Sequence, residues 1–316
     1  RCGQLLGKSA DAGVPGTEGI AAEYKELVVF WPGSFYALLS QERLRGLGLE
    51  VPATFPIEPP TAEPPPPPAE LKLAIELAKA GLLRDAWEEV QVRIAKVGNP
   101  VEALRFGRAL QGLGEYGGGH TLAARFLWGA VYAQRNPEAI ALMYPRAYRE
   151  SVERLSRENG LDPFLAWAIM RRESAFKPEV TSVADARGLL QLIPPTARSI
   201  AAVQKVPPLE PDELYSPEAN IALGTWYLAA LMERFGHPSL TAAAYNAGST
   251  PVAKWATTRQ SLPLDLWVEE IPYKETRGYV KQVTADYFIY RALYGEKSEQ
   301  HLVLSVPVPK DGGVSF

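Results

Sequence analysis

The stretch Leu161–Pro195, LDPFLAWAIMRRESAFKPEVTSVADARGLLQLIPP, constrains the fold more than any other part of the chain. Asp162 can cap a helix, and Pro163 suits its first turn. Leu165 and Ile169 recur at helical spacing, and Glu173 lies four residues beyond Ile169 and eight beyond Leu165, on the same face. Ser174 follows, and Pro178 stops the helix soon after it. A half-buried carboxyl at the end of an apolar stripe resists ionisation, so its pKa is expected to rise. That property suits a general acid near neutral pH. The same placement also suits a structural Glu that caps or pairs at a helix end, and this helix alone leaves both readings open.

Helical spacing continues along the chain. Residues 1–19 are Gly-rich and irregular. Ile20–Val29 and Ser34–Arg45 read as two helices broken by Trp31-Pro32-Gly33. Pro59-Pro60 and the run Pro64–Pro68 favour an extended connector, with an SH3-type ligand as the less favoured reading because no basic residue flanks the run. Helices resume at Ala69, with Leu71, Ala74, Ile75 and Ala78 on one face and Gly81 as a stop. Arg84–Lys96, Pro100–Leu110 and Leu122–Ala133 follow as helices. Gly117-Gly118-Gly119 is read as a loop, since no strand precedes it and no Gly-Lys-Ser/Thr follows. Ser216-Pro217-Glu218 starts a long, largely buried helix that Gly236 ends, with Ser216 as its cap. Thr241–Asn246, Pro251–Thr257 and a final helix from Glu275 to Tyr294 complete the pattern. Strand alternation is absent from the second half, so the expected fold class is all-α, with stacked helical hairpins in the first half.

Composition narrows the function. A net charge of −3 argues against a nucleic-acid binder that relies on bulk positive charge. No apolar run approaches the ~18 residues of a transmembrane segment. The single cysteine, Cys2, rules out an internal disulfide and a Cys-based zinc site, and it lacks the lead-in of a lipobox. His120, His237 and His301 are scattered, so no metal is expected. No Gly-x-Ser-x-Gly elbow is present for a serine nucleophile. Arg1 in place of an initiating Met is expected of a fragment or a processed chain, and no secretory leader is visible.

Beyond Glu173-Ser174, three further motifs follow in order: Ser182, nine residues after Glu173; Gly188-Leu189-Leu190-Gln191; and Ala244-Tyr245-Asn246-Ala247-Gly248. Together they resemble the soluble lytic transglycosylases, whose catalytic domain is goose-type-lysozyme-like. The resemblance covers roughly residues 144–295 well and continues more weakly upstream. It implies a helical-repeat (superhelical) region followed by an α-helical lysozyme-like domain. With a boundary near Ala141, the expected division is a helical hairpin region (1–51), a Pro-rich linker (52–68), a helical repeat or linker domain (69–140), the catalytic domain (141–298) and a C-terminal tail (299–316).

The activity implied is cleavage of the β-1,4 bond between N-acetylmuramic acid and N-acetylglucosamine in peptidoglycan glycan strands, leaving 1,6-anhydro ends. No cofactor, nucleic acid or transmembrane segment is implied, and the expected location is the periplasm or cell envelope. Glu173 would act first as acid and then as base, with Tyr245 as its orienting partner. Ser182, Gly188, Leu189, Gln191, Asn246, Glu269 and Arg277 are the expected substrate-binding set. Within that set, Gly188 would allow close backbone approach to the sugar, Asn246 more readily fixes the local loop, Arg277 equally suits a structural role, and Glu270 competes with Glu269. Two departures from the family pattern stand out. Leu190 replaces a Met, a swap that keeps volume. Asp185 stands where a small residue is usual. It suits a turn, or a second carboxylate that steers water toward hydrolysis. A non-catalytic peptidoglycan-binding protein or helical scaffold is the remaining alternative.

Overall fold

The computed structural model describes residues 17–52, 66–80, 82–295 and 301–314; Cys2, Gly81, most of the Pro-rich segment and the side chains of Ala78 and Trp87 lie outside that description. In chain order the helices are α1 (Thr17–Phe30), α2 (Phe35–Gly46), α3 (Lys72–Lys79, entered through a 3-10 turn at Ala69–Leu71), α4 (Leu83–Lys96), α5 (Pro100–Gly112), α6 (Tyr116–Phe126), α7 (Trp128–Tyr132) and α8 (Pro137–Met143). They continue as α9 (Arg149–Glu158), α10 (Pro163–Glu173), α11 (Pro194–Gln204), α12 (Pro217–Phe235), α13 (Pro238–Ala247), α14 (Ser249–Thr258), α15 (Leu264–Glu269) and α16 (Lys274–Tyr294). Among the described residues the only β structure is isolated bridges, such as Thr181 with Arg187 and Pro263 with Ser305. The all-α expectation therefore holds.

The chain separates into two compact units: Arg1–Phe55 with Glu150–Glu173 and Pro178–Phe316, and Pro56–Arg149 with Ser174–Lys177. In the first unit, α10 and α16 form the central pair. The Asp162 side chain accepts from the Phe164 amide at 3.0 Å and so caps α10. Trp167 and Ile169 are fully buried, and the Trp167 ring stacks on Tyr290 with centroids 5.9 Å apart. The buried Asp286 carboxylate accepts from Arg171 Nη1 at 2.9 Å and from Arg172 Nη2 at 2.9 Å. On the far side of α16, Thr284 shares a 2.9 Å hydrogen bond with Ser239 of α13.

The α1–α2 hairpin belongs to this unit. Ser34 caps α2 by accepting from the Ala37 amide at 3.1 Å, and Arg43 pairs at 2.8 Å with Asp265, which is only 1% exposed. The tail belongs to it as well. The Leu264 amide donates to the Leu304 carbonyl at 2.7 Å, and the Lys310 amide to the Arg234 carbonyl at 2.9 Å. His237 ties two elements together: Nδ1 accepts from the Ser239 amide at the start of α13, and Nε2 faces the Val303 carbonyl at 2.9 Å. Burial lowers His237 to a pKa of about 4, so the ring is neutral and Nε2 donates.

The second unit is a set of short helices in which α3 packs on α4, and α5 on α6. Here one expectation is corrected. Gly117-Gly118-Gly119 is not a loop but the first turn of α6, and all three glycines are buried. A Cβ on Gly118 would lie 2.8 Å from Ile94, and one on Gly119 would lie 3.1 Å from the Gly107 carbonyl. The glycines serve close helix packing, which outweighs their poor helix propensity.

Replacing Asp286 with Ala removes the buried carboxylate that pairs with Arg171 and Arg172, so the first unit is expected to lose about 3–5 kcal/mol of stability. Urea unfolding checks this; a loss under about 1 kcal/mol would mean that the cluster is as weak as an exposed ion pair.

Candidate active site

Glu173 is the last residue of α10, and the chain leaves the helix through left-handed backbone at Ala175 and Phe176. Its carboxyl is half-buried. Removal from water pushes its pKa from an ordinary 4.5 up to about 7; a hydrogen bond from Tyr279 opposes the rise, and the charge of Glu275 adds to it. The rise expected from sequence is therefore present, and its main cause is burial.

The partner differs from the one expected. The Tyr279 hydroxyl, from α16, donates to Glu173 Oε1. The Tyr245 hydroxyl donates instead to the Leu190 carbonyl at 2.5 Å. Tyr245 nevertheless lies close enough to feel the Glu173 charge. Burial and then that charge raise its hydroxyl well above the ordinary range, and the same two causes raise Tyr279. The Tyr227 ring, from α12, packs against Tyr245 with centroids 5.5 Å apart, and burial raises its hydroxyl to about 12. Two neutral phenols, Tyr279 and Tyr245, thus lie near the carboxyl, and Tyr227 packs behind Tyr245. Tyr279 lies in the final helix, in Glu275-Thr276-Arg277-Gly278-Tyr279-Val280. The available signal was its place four residues after Glu275, one turn along the same helical face.

The loop between Val180 and Leu192 is built around a residue that motif reading passed over. Asn220, fully buried on α12, accepts from the Leu190 amide at 2.7 Å and donates to the Arg187 and Leu214 carbonyls, each at 2.9 Å. Gly188 has φ +78°, and a Cβ there would lie 2.2 Å from the Leu214 carbonyl oxygen. Its bare face is turned toward protein, not toward open space for a sugar as expected. Leu189 is fully buried in the core. Gln191, with φ +48°, uses its amide nitrogen on the Val180 and Gly188 carbonyls, each at 2.9 Å. Ser182 Oγ accepts from the Ala184 and Ala186 amides at 3.2 and 3.1 Å, which makes it a turn former. Asp185 takes the left-handed position of that turn at φ +60° and pairs with Arg187 at 2.8 Å. This geometry favours the turn reading of Asp185. The carboxylate whose charge does reach Glu173 is Glu275, exposed at the start of α16.

Asn246 Oδ1 accepts from Thr276 Oγ1 at 2.6 Å, joining the end of α13 to the start of α16. Glu269 and Arg277 lie in an adjoining cluster. Arg277 Nη1 donates to the Glu269 carbonyl at 2.9 Å. The Glu269 carboxylate accepts from Lys281 Nζ at 2.7 Å and from the Tyr36 hydroxyl at 2.8 Å. Partial burial works to raise Glu269, but these two donors outweigh it and hold the carboxyl below its usual range. Glu270 is exposed beside it. Among the described residues, no group of three or more His, Cys, Asp or Glu could hold a metal ion.

An acid with an uncharged phenol donor, a fixed backbone loop and a nearby second carboxylate can deliver and later recover one proton. Comparison with known proteins gives this arrangement its class. Residues 150–268 match the family described as the transglycosylase SLT domain, and residues 270–299 match the soluble lytic transglycosylase helical domain. The chain therefore carries a transglycosylase domain of the SLT type. It is 39% identical over 157 residues to the soluble lytic murein transglycosylase of Salmonella typhimurium, covering 49% of this chain and 24% of that one. The Escherichia coli K12 protein of the same name is 38% identical over the same shares. The crystal structure of the 70 kDa soluble lytic transglycosylase of E. coli superposes with a TM-score of 0.73 at 26% identity, covering 94% of this chain and 47% of that one. That of the Pseudomonas aeruginosa lytic transglycosylase Slt, solved as an inactive mutant, gives 0.67 at 25% identity, covering 92% and 46%. The chain thus spans about a quarter of these curated relatives and about half of the solved chains.

Because Glu173 binds its proton more tightly when folded, its contribution to stability is complete below its unfolded pKa near 4.5 and is lost as pH rises through about 7. The loss across that window is about 3 kcal/mol. Glu173→Gln is expected to remove that slope and to melt above the parent at pH 8. Thermal melts from pH 4.5 to 8 check this; parallel curves for the two proteins would contradict it.

Proposed function

We propose that the chain is the catalytic part of a lytic murein transglycosylase, acting on peptidoglycan glycan strands in the bacterial envelope. The observation that carries this reading is Glu173, a half-buried carboxyl raised to about 7 by burial and bonded by Tyr279. The domain match over residues 150–268, with relatives named soluble lytic murein transglycosylase, supports the substrate class.

Protonated Glu173 gives its proton to the oxygen bridging N-acetylmuramic acid and N-acetylglucosamine, and the bond from that oxygen to the anomeric carbon breaks. The leaving sugar departs as an alcohol while positive charge builds at the anomeric carbon, eased by the substrate's own N-acetyl group, as the family resemblance implies. The Glu173 carboxylate then takes the proton of the C6 hydroxyl, and that oxygen bonds to the anomeric carbon. The result is a 1,6-anhydro ring and an enzyme returned to its protonated state. An internal hydroxyl outcompetes water because held-in-place groups react at very high effective molarity. Tyr279 orients the carboxyl without adding charge, Tyr245 fixes the Leu190 carbonyl, and Glu275 lends negative potential to the site.

Purified sacculi are expected to lose turbidity with the parent and at least about 100-fold more slowly with Glu173→Gln, the range seen when a general acid is removed. Mass spectrometry of the products should show anhydro ends; reducing muramic acid ends would instead mark a hydrolase. The pH profile offers a sharper check. Activity is expected to fall as pH rises past about 7, where Glu173 loses its proton. Tyr279→Phe removes a stabiliser of the charged form and should move that limb to higher pH. Glu275→Gln removes a repelling charge and should move it lower. Shifts in the same direction would contradict the assignment.

A further inference from the structure

A concave site lies on α12, away from Tyr227. Its walls are the C-terminal end of α11, a stripe of α12 and the tail segment Lys310–Val314, which together enclose about 440 Å³. Trp226, Ala230 and Glu233 follow one another at helical spacing along α12, turned about 100° from Tyr227, which packs on Tyr245. The floor is apolar, formed by Trp226 and Ala230, with Val203 contributed by α11. The rim carries charges of both signs: Glu233 and Arg234 from the helix, and Lys310 and Asp311 from the tail.

The tail is anchored, so the cavity is built rather than incidental. The Lys310 amide donates to the Arg234 carbonyl at 2.9 Å, and Arg234 Nη1 donates to the Val314 carbonyl at 2.9 Å. Gly312 and Gly313 turn the tail through two successive left-handed positions, φ +79° and +85°. Arg234 Nε is buried without a hydrogen-bond partner, and such a group costs stability unless something compensates. Lys310 and Glu233 approach only to 3.9 Å and are 69% and 78% exposed, so each is free to exchange the other for a ligand charge.

An apolar floor under a rim of alternating charge matches a ligand that carries both a carboxylate and an amine around small aliphatic groups. We propose that this cavity binds a short peptide with charges of both signs and small apolar side chains. The peptide stems of murein are the source that fits the reading above, and that assignment of source, though not the site, rests on it. A stem held here would anchor the strand while Glu173 works.

The test is isothermal titration calorimetry on the full chain carrying Glu173→Gln, which removes turnover, with the free tetrapeptide Ala-Glu-Lys-Ala as probe. Saturable binding is expected at a Kd on the order of 1 mM or tighter. Adding Lys310→Glu, at an exposed position outside the Glu173 site, should weaken binding at least about tenfold with the melting temperature unchanged. Tetra-alanine should bind at least about tenfold more weakly than the charged probe. No saturation by about 10 mM, or equal binding by the Lys310→Glu protein, overturns the site. Peptide binding by a chain whose parent does not clear sacculi leaves the cavity standing and removes the murein reading. Clearing without peptide binding does the reverse.

Discussion

The site depends on keeping one carboxyl uncharged where water is scarce. Glu173 ends a helix whose preceding turns, Trp167 to Met170, are wholly buried, so its side chain emerges from the core instead of the surface. Burial is the largest cause of its shift, and the neighbours adjust it: Tyr279 steadies the ionised form and Glu275 discourages it. That balance places the proton near neutrality, where it can be both given and regained. A carboxyl in open solvent would have surrendered it near the ordinary 4.5.

The surrounding architecture holds three elements around that group. α16 brings Tyr279 and is fixed to α10 through the buried Asp286 cluster. α13 brings Tyr245 and is fixed to α16 through Thr284 and through Asn246 with Thr276. α12 brings Tyr227 and, through Asn220, the loop whose Leu190 carbonyl meets Tyr245. The hairpin α1–α2 and the C-terminal tail close the same unit through Arg43, Tyr36 and the pairing at Leu264. They come from opposite ends of the sequence.

Much of this was legible in the sequence, and the failures have a common cause. The α10 boundaries follow from Asp162, Pro163 and Pro178, and the α12 boundaries from Pro217 and Gly236, because caps and stops are local chemistry. Ser216 occupies the cap position of α12 but its side chain makes no capping bond. The elevated acid was inferred from its stripe. The pairing of Glu173 with Tyr279 across 106 residues was not, since Tyr245 and Tyr279 are chemically identical and only packing decides which hydroxyl arrives. Gly188 was read as making room for ligand, whereas it makes room for α12 and the Leu214 carbonyl. The three glycines of α6 were read as a loop, whereas they let helices pack closely, because a glycine signals close approach without saying to what. Glu275 was passed over because an exposed acid in the first turn of a helix is unremarkable until the fold sets it beside another carboxyl.

The central claim is that the Glu173 carboxyl keeps its proton to near neutral pH in the folded chain. Its most direct measurement is an NMR titration of the Glu173 side-chain carboxyl carbon, assigned by comparison with Glu173→Gln. The account predicts a midpoint at about 7; a midpoint near the ordinary 4.5 would contradict it.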